Sequence, residues 1–146
     1  MKKKYLYWLG AILLIALLVL VYRWNDYREK EMTDVLDAEE VDELLYTMFP
    51  SEDEVGFFNR SITDPSSIKE LTDFFGQYKV KKIGARSFSP EYPDEQFSFQ
   101  LEYTDDRITM SSLIERDVLL VEHEQYAITN GPVDYNWIQD YLGKHE

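Results

Sequence analysis

The sequence predicts an α+β protein, with an N-terminal transmembrane helix followed by a two-layer domain in which an antiparallel sheet carries two helices on one face. Three observations predict this class. Residues 5–22 are apolar and uncharged, two later segments have the spacing of capped amphipathic helices, and the strand-like segments are joined by short connections. Short connections indicate antiparallel pairing, because parallel strands need a long crossover. The expected organisation is a cytoplasmic tail at 1–4, a transmembrane signal-anchor helix at 5–22, a charged stalk at 23–37 and an extracytoplasmic domain at 38–143.

The apolar run has the length of a membrane span. As a helix, its 18 residues reach about 27 Å, close to the hydrocarbon thickness of about 30 Å. Aromatic residues mark both ends, and basic residues lie just beyond them, as is typical of the two membrane interfaces. The residues expected at these interfaces are Lys2, Lys3, Lys4, Trp8, Tyr22, Arg23 and Trp24.

A cleaved signal peptide is the competing interpretation of this segment. It would need a shorter apolar region and small residues at a cleavage site, and the chain after Leu20 has no such pattern. We therefore expect an uncleaved anchor. Positive charge is concentrated in the first four residues and diluted by acids beyond the helix, which favours a cytoplasmic N-terminus and a single-pass protein of the cell membrane.

The first part of the domain is ambiguous. Residues 41–49 fit a helix capped by Asp37, with Glu40 at the third position, and they equally fit a strand that ends at Pro50. A turn at 51–54 and a returning strand at 57–63 favour the second interpretation, a hairpin.

Two helices are predicted with defined ends. The first follows the N-cap Asp64 and Pro65 and ends at Gly76, and the second follows Asp134. Each has one apolar face at helical spacing. The apolar residues are Ile68, Leu71, Phe74 and Phe75 in the first helix, and Trp137, Ile138, Tyr141 and Leu142 in the second.

The segment between these helices is predicted to be mostly strand. Residues 79–83 fit a strand at a sheet edge, 84–95 form a loop with two prolines, and 96–104 alternate between apolar and polar residues. Asp105-Asp106 is expected to be a hairpin turn. Further strands are expected at 107–114, 118–123 and 125–129, and the order is β-β-α-β-β-β-β-α.

Composition restricts the function classes. The net charge is −13; residues 1–22 carry three lysines and no acid, so the rest of the chain carries −16. Such a charge makes nucleic acid an improbable partner. The sequence contains no cysteine, which excludes disulfides and thiolate zinc sites. An exported domain without cysteine fits a bacterial envelope better than a eukaryotic secretory route.

No recognisable catalytic or metal-binding pattern is present, so we expect no enzyme, no cofactor and no metal site. The two histidines lack zinc-binding spacing, and His123 is expected to be an ordinary strand residue. Glu52, Asp53 and Glu54 lack the alternation of a calcium loop. A hydrolase that uses carboxylates such as Asp105, Asp106 or Glu122 is the remaining enzymatic alternative.

The proline-containing loop is the candidate binding surface. It carries Arg86, Phe88 and Tyr92, and aromatic residues on loops often form such surfaces. The alternative is that Phe88 and Tyr92 pack under the edge of the sheet.

The run from Phe57 to Leu71, the later Phe-Ser-Phe-Gln-Leu strand and the segment Gln125–Ile128 carry a resemblance. Over about residues 41–142 the pattern resembles small exported or membrane-tethered proteins of Bacillus-type bacteria, in which a strand ending in Ile-x-Asp leads into a short helix and a meander of strands. Members often bear a lipidated cysteine, which is missing here. The resemblance implies place and fold and no site residues.

These observations predict a single-pass membrane protein that presents a small acidic binding or assembly module. Its expected partners are the lipid bilayer and another envelope protein. The alternative is a regulator of a membrane-embedded partner that acts through the transmembrane helix and the stalk. The sequence leaves the oligomeric state open.

Overall fold

A computed structural model describes residues 2–47, 58–105, 107 and 109–145. In these residues one antiparallel sheet of eight strands is combined with helices and an apolar N-terminal helix. The helices are α1 (Lys2–Tyr27), α2 (Met32–Val35), α3 (Pro65–Phe75) and α4 (Tyr135–Gly143), with a 3-10 turn at Pro93–Glu95. The strands are β1 (Lys30–Glu31), β2 (Val41–Thr47), β3 (Arg60–Ile62), β4 (Lys79–Ala85), β5 (Gln96–Tyr103), β6 (Ser111–Glu115), β7 (Val118–Val121) and β8 (Glu124–Ile128).

The strand order in the sheet is β1-β4-β8-β7-β6-β5-β2-β3, with antiparallel pairing throughout. Four antiparallel steps separate β4 from β5, so these two strands run in the same direction. The connection between them must therefore cross the sheet. It spans four strand spacings, about 19 Å in all, and returns to the opposite end of the strands.

Side chains on one face of the sheet form the core. Phe97, Phe99 and Leu101 alternate along β5, and Ile114 and Leu119 face the core from the neighbouring strands. Alternation places every second residue on one face, as the sequence of β5 predicts. The predicted apolar faces of α3 and α4 belong to this core: the Phe75 ring stacks on Phe99 at 5.3 Å.

The predicted caps of both helices are confirmed. Asp64 accepts a hydrogen bond from the Ser67 N–H (2.9 Å), and Asp134 accepts one from the Trp137 N–H (3.1 Å). Helix α3 ends at Phe75 and is capped by the predicted Gly76, whose N–H donates to the Thr72 carbonyl. The Tyr141 hydroxyl on α4 donates to the Ser67 carbonyl on α3, which joins the two helices inside the core.

Several predictions about the strands need correction. Residues 41–47 are strand, so the helical interpretation is wrong there, because Leu44 and Tyr46 alternate into the core. The hairpin with β3 is confirmed, while 48–57 lie outside the described residues. Five strands rather than four separate α3 from α4, since 79–85 is a full strand. This strand, β4, pairs with β8 along its length and also with β1 at its start. It is therefore an edge strand only beyond the β1 pairing.

Two turns also differ from the prediction. The connection between β5 and β6 is longer than a two-residue hairpin, because strand β6 begins only at Ser111; Asp106 and Ile108 lie outside the described residues. His123 lies in the turn between β7 and β8 and not in a strand. Its neighbour Glu122 has a left-handed φ of 49°, which the two-residue turn requires.

The segment expected to be a stalk contributes to the fold. Helix α1 continues to Tyr27, after which Lys30–Glu31 pair with β4. Met32 and Leu36 are fully buried in the core, with 0% and 3% of their surface exposed. Burial of these two apolar side chains is favourable in free energy and stabilises the fold. The folded unit therefore begins before residue 38.

Candidate functional site

The β4–β5 connection, residues 86–95, forms a strap across the face of the sheet opposite the core. Residues of this outer face alternate with the core residues, and they include Glu115, Val118 and Gln125. The strap is attached at its start, where the Ser87 N–H donates to Gln125 Oε1 at 3.1 Å. It carries all three residues of the predicted binding loop.

The far end of the strap is held by a buried carboxylate. Glu115 is only 3% exposed, and its Oε1 accepts hydrogen bonds from the N–H groups of Glu91 (2.9 Å) and Tyr92 (3.0 Å). Gln96 Nε2 donates to its second oxygen at 2.5 Å. Burial opposes ionisation of Glu115, but the three hydrogen bonds outweigh it and place its pKa below the usual range.

Tyr92 lies over a cation and remains accessible. The Arg116 guanidinium carbon lies 3.9 Å from the centre of the Tyr92 ring, and Arg116 Nε donates to Glu95 Oε2 at 2.6 Å. Arg116 has a left-handed φ of 51° in the two-residue turn between β6 and β7. Tyr92 is 41% exposed, which makes it, with Ile83, one of the exposed large apolar side chains outside α1 in the described part of the chain.

A groove of about 380 Å³ runs between the strap and the outer face of the sheet. Phe88 is half-buried in its wall, while Ser87, Ser89, Glu91 and Asp117 are exposed. The two alternatives for the loop are therefore both partly realised: Phe88 packs and Tyr92 is presented. Arg86 is exposed at the start of the strap, where its N–H donates to the His123 carbonyl at 2.7 Å. The groove has carboxylate, hydroxyl and aromatic groups to offer a ligand.

The predicted membrane-interface residues lie at both ends of α1. Trp8, Tyr22 and Trp24 are 70%, 72% and 71% exposed, and Trp8 and Trp24 are separated by about 24 Å along the helix axis. Arg23 is exposed, with its guanidinium 5.8 Å from the Tyr27 ring. Lys2, Lys3 and Lys4 form the first turn of the helix. By length and composition, the helix Tyr7–Tyr27 could cross a membrane, and none of it is buried in the protein.

The end of α1 is bound to the sheet through Lys82, which the sequence did not single out. Lys82 Nζ donates to Asp26 Oδ2 at 2.9 Å and lies 3.2 Å from Glu124 Oε1. Its side chain is only 14% exposed and also lies over the Tyr27 ring. The hydrogen bond to Asp26 raises the Lys82 pKa, which burial opposes and Glu124 supports. The available signals were an acid at the end of the apolar helix and a basic strand much later in the chain, but the pairing spans 56 residues.

Two of the carboxylates considered for hydrolysis, Asp105 and Glu122, lie in the described residues. Asp105 is paired with Arg107 Nε at 2.7 Å, and this hydrogen bond lowers the Asp105 pKa. Arg107 also contacts Asp37 at 2.9 Å, so it joins the β5–β6 connection to the start of the domain. Glu122 is exposed in a turn. Among the described residues, no group of three or more acidic and histidine side chains is placed to hold a metal ion.

Comparisons with protein-family models, with curated proteins and with solved structures find no match for this chain. The strap, the groove and helix α1 are therefore the features of the chain that bear on its function.

Proposed function

We propose that this chain is a single-pass membrane protein that presents an acidic binding module outside the membrane and engages another envelope protein through the strap groove. One observation carries the proposal. An apolar helix with its side chains exposed continues directly into a folded sheet, which it contacts near its end. The module is a binding protein and not an enzyme, and it uses no cofactor and no nucleic acid.

Exposure of α1 is the support for the membrane span. The large apolar side chains from Leu9 to Val21 are more than half exposed, on every side of the helix. In water such a surface would be unfavourable by about 25 cal/mol for each Å² of apolar area, whereas lipid accepts it and the helix satisfies its own backbone. The three lysines at its start support a cytoplasmic N-terminus, because basic residues are enriched on that side of a membrane span.

Packing of the helices supports the two-layer arrangement. The Phe74 ring of α3 stacks on Trp137 of α4 at 3.8 Å, and α3 contacts the sheet through Phe75. We infer that both helices cover the core face as one layer. The strap then lies on the opposite face, so the groove is separated from the helices by the thickness of the sheet.

The chemistry of the groove indicates the kind of partner. Glu91 and Asp117 are exposed at its walls, Phe88 and Tyr92 supply aromatic surface, and the domain around it is strongly acidic. Charge complementarity favours a partner that presents a lysine or arginine beside an apolar side chain. Because its ends are hydrogen-bonded to Gln125 and Glu115, the strap is ordered before binding, which reduces the entropic cost of association.

Site-specific photocrosslinking in cells tests the binding module. A photoreactive residue at Tyr92 should give a discrete crosslinked species in the membrane fraction, and the same residue at Lys69 on α3 should not. The species should be lost when Glu91→Lys or Phe88→Ser is added, with the protein still present at normal abundance. Equal crosslinking from both positions, or a species indifferent to the groove variants, would reject the groove as the binding surface.

The regulator alternative has its own support in the Lys82 contact. Because Lys82 joins Asp26 to the sheet, movement of α1 in the membrane would be transmitted to the domain. If the partner binds within the bilayer, the identity of residues 9–21 matters. Replacing them with an unrelated apolar helix of the same length should then abolish function, whereas an activity of the domain alone should survive the exchange.

A further inference from the structure

We propose that the domain rests on the headgroup layer of an anionic lipid bilayer through strand β4, with Ile83 and Lys81 in contact with lipid. This inference depends on the proposed membrane span of α1. It goes beyond that span, because an anchored domain could equally be held away from the surface by a stalk. The contact surface consists of Lys81, Ile83 and Arg86 of the domain together with Arg23 and Arg28 of the anchor.

The distance between the sheet and the membrane follows from the Lys82 contact. If Tyr22 marks the edge of the hydrocarbon, Asp26 lies about 6 Å further along the helix axis. The headgroup layer on one side of a bilayer is about 5–8 Å thick. Lys82 Nζ is 2.9 Å from Asp26, so this part of β4 lies at the level of the headgroups and no stalk separates it from the surface.

The local composition of β4 suits this environment, although the domain as a whole is acidic. Residues 79–86 contain four basic side chains and no acid. Lys79 and Lys82 are paired with acids near the end of α1, at 3.8 Å from Glu29 and 2.9 Å from Asp26. Lys81 and Arg86 are exposed, as are Arg23 and Arg28 of the anchor, and such clusters beside a span attract anionic lipid.

An exposed apolar side chain completes the surface. Ile83 is 56% exposed at a bulge, where the pairing of β4 with β8 shifts between Lys82 and Gly84. The bulge leaves Ile83 without a residue opposite it, and Gly84 adopts a φ of 151° that other residues rarely adopt. Bulges near edges redirect side chains. An isoleucine that directly follows two lysines, beside an emerging anchor, is the arrangement expected of a group that enters the interface.

Spin labels measure this contact in the full chain, because the sequence has no cysteine and each label site is unique. The protein is reconstituted in vesicles of phosphatidylcholine with one part in three phosphatidylglycerol. Nitroxides are attached at Ile83→Cys, at Leu14→Cys as the membrane centre, and at Tyr92→Cys as the matched control, another exposed apolar position. The readout is the ratio of oxygen collision to nickel-chelate collision, which rises with depth.

We expect the highest ratio at 14, an intermediate ratio at 83, and a water-like ratio at 92, several-fold below that at 83. Adding Lys81→Glu to the 83-labelled protein should lower its ratio toward that of 92. A water-like value at 83 with a deep value at 14 would overturn the lipid contact and leave the span intact. A water-like value at 14 would overturn the span and the contact together.

Discussion

Single carboxylates determine local structure at two positions in this chain. Asp64 begins α3 by accepting hydrogen bonds from the Ser66 and Ser67 hydroxyls and from the Ser67 N–H. These bonds, in that order of effect, lower the Asp64 pKa from 3.8 to about 2. Glu115, which is buried, holds the strap by accepting hydrogen bonds from the N–H groups of Glu91 and Tyr92. Both carboxylates act in their ionised form.

Asp64 gives a pH-dependent contribution to stability. Its pKa is lower in the folded state, so its contribution is present above about pH 4 and is lost as the pH falls toward 2. Asp64→Asn keeps an acceptor at the cap but does not titrate. We expect the variant to melt below the wild type at pH 6, with the difference disappearing near pH 2. Thermal unfolding followed by circular dichroism measures this difference in melting temperature. A constant difference from pH 6 to pH 2 would show that ionised Asp64 does not stabilise the fold.

Glu115 is expected to hold the strap in place. Glu115→Ala leaves the N–H groups of Glu91 and Tyr92 without their acceptor, at a cost of about 1–3 kcal/mol. Hydrogen exchange of these two amides should accelerate while the amides of β5 remain protected. Glu70→Ala, which removes an exposed carboxylate on α3, is the control and should change neither. Unchanged exchange at Glu91 and Tyr92 would mean that the strap is fixed by other contacts.

At the scale of elements, strand β4 joins helix α1 to the rest of the fold. It pairs with β1 immediately after α1, contacts Asp26 through Lys82, and leads into the strap. Strand β4 is therefore a continuous connection from the end of α1 to the start of the strap. This is the physical basis of the regulatory alternative.

Removing the Lys82 charge should uncouple α1 from the sheet. In Lys82→Met the contacts with Asp26 and Glu124 are lost, although the side chain keeps its length and apolar stem. We expect the distance distribution between spin labels at Arg23→Cys and Asn136→Cys to broaden in detergent. Lys69→Met, which breaks a pair on the exposed face of α3, should leave it narrow. An unchanged distribution in Lys82→Met would show that the β1–β4 pairing holds α1 without the Lys82 contacts.

At the scale of the whole molecule, the sequence determines the elements better than their arrangement. The caps at Asp64 and Asp134 and the alternation in 96–103 are local signals, and each predicted its element. The strap across the outer face could not be predicted, because it depends on β8, β7 and β6 lying between β4 and β5. For the same reason the roles of Glu115 and Lys82 were missed: their partners lie 24 and 56 residues away.

The beginning of the domain differs from the sequence prediction for a related reason. Met32 and Leu36 lie among charged residues, so their composition indicates a solvated stalk. In the structure they are buried against the core, because β1 adds to the edge of β4 and turns α2 inward. A two-residue strand has no periodicity that a sequence could reveal.

The central claim, an anchored module outside the membrane, is tested most directly by protease treatment of intact cells, followed by fractionation and detection of the C-terminus. The account predicts that the protein is in the membrane fraction and that external protease removes the domain. A domain protected from external protease would contradict the orientation. A C-terminal fragment released into the medium without protease would show that residues 1–22 are a cleaved signal peptide, and would contradict the account as a whole.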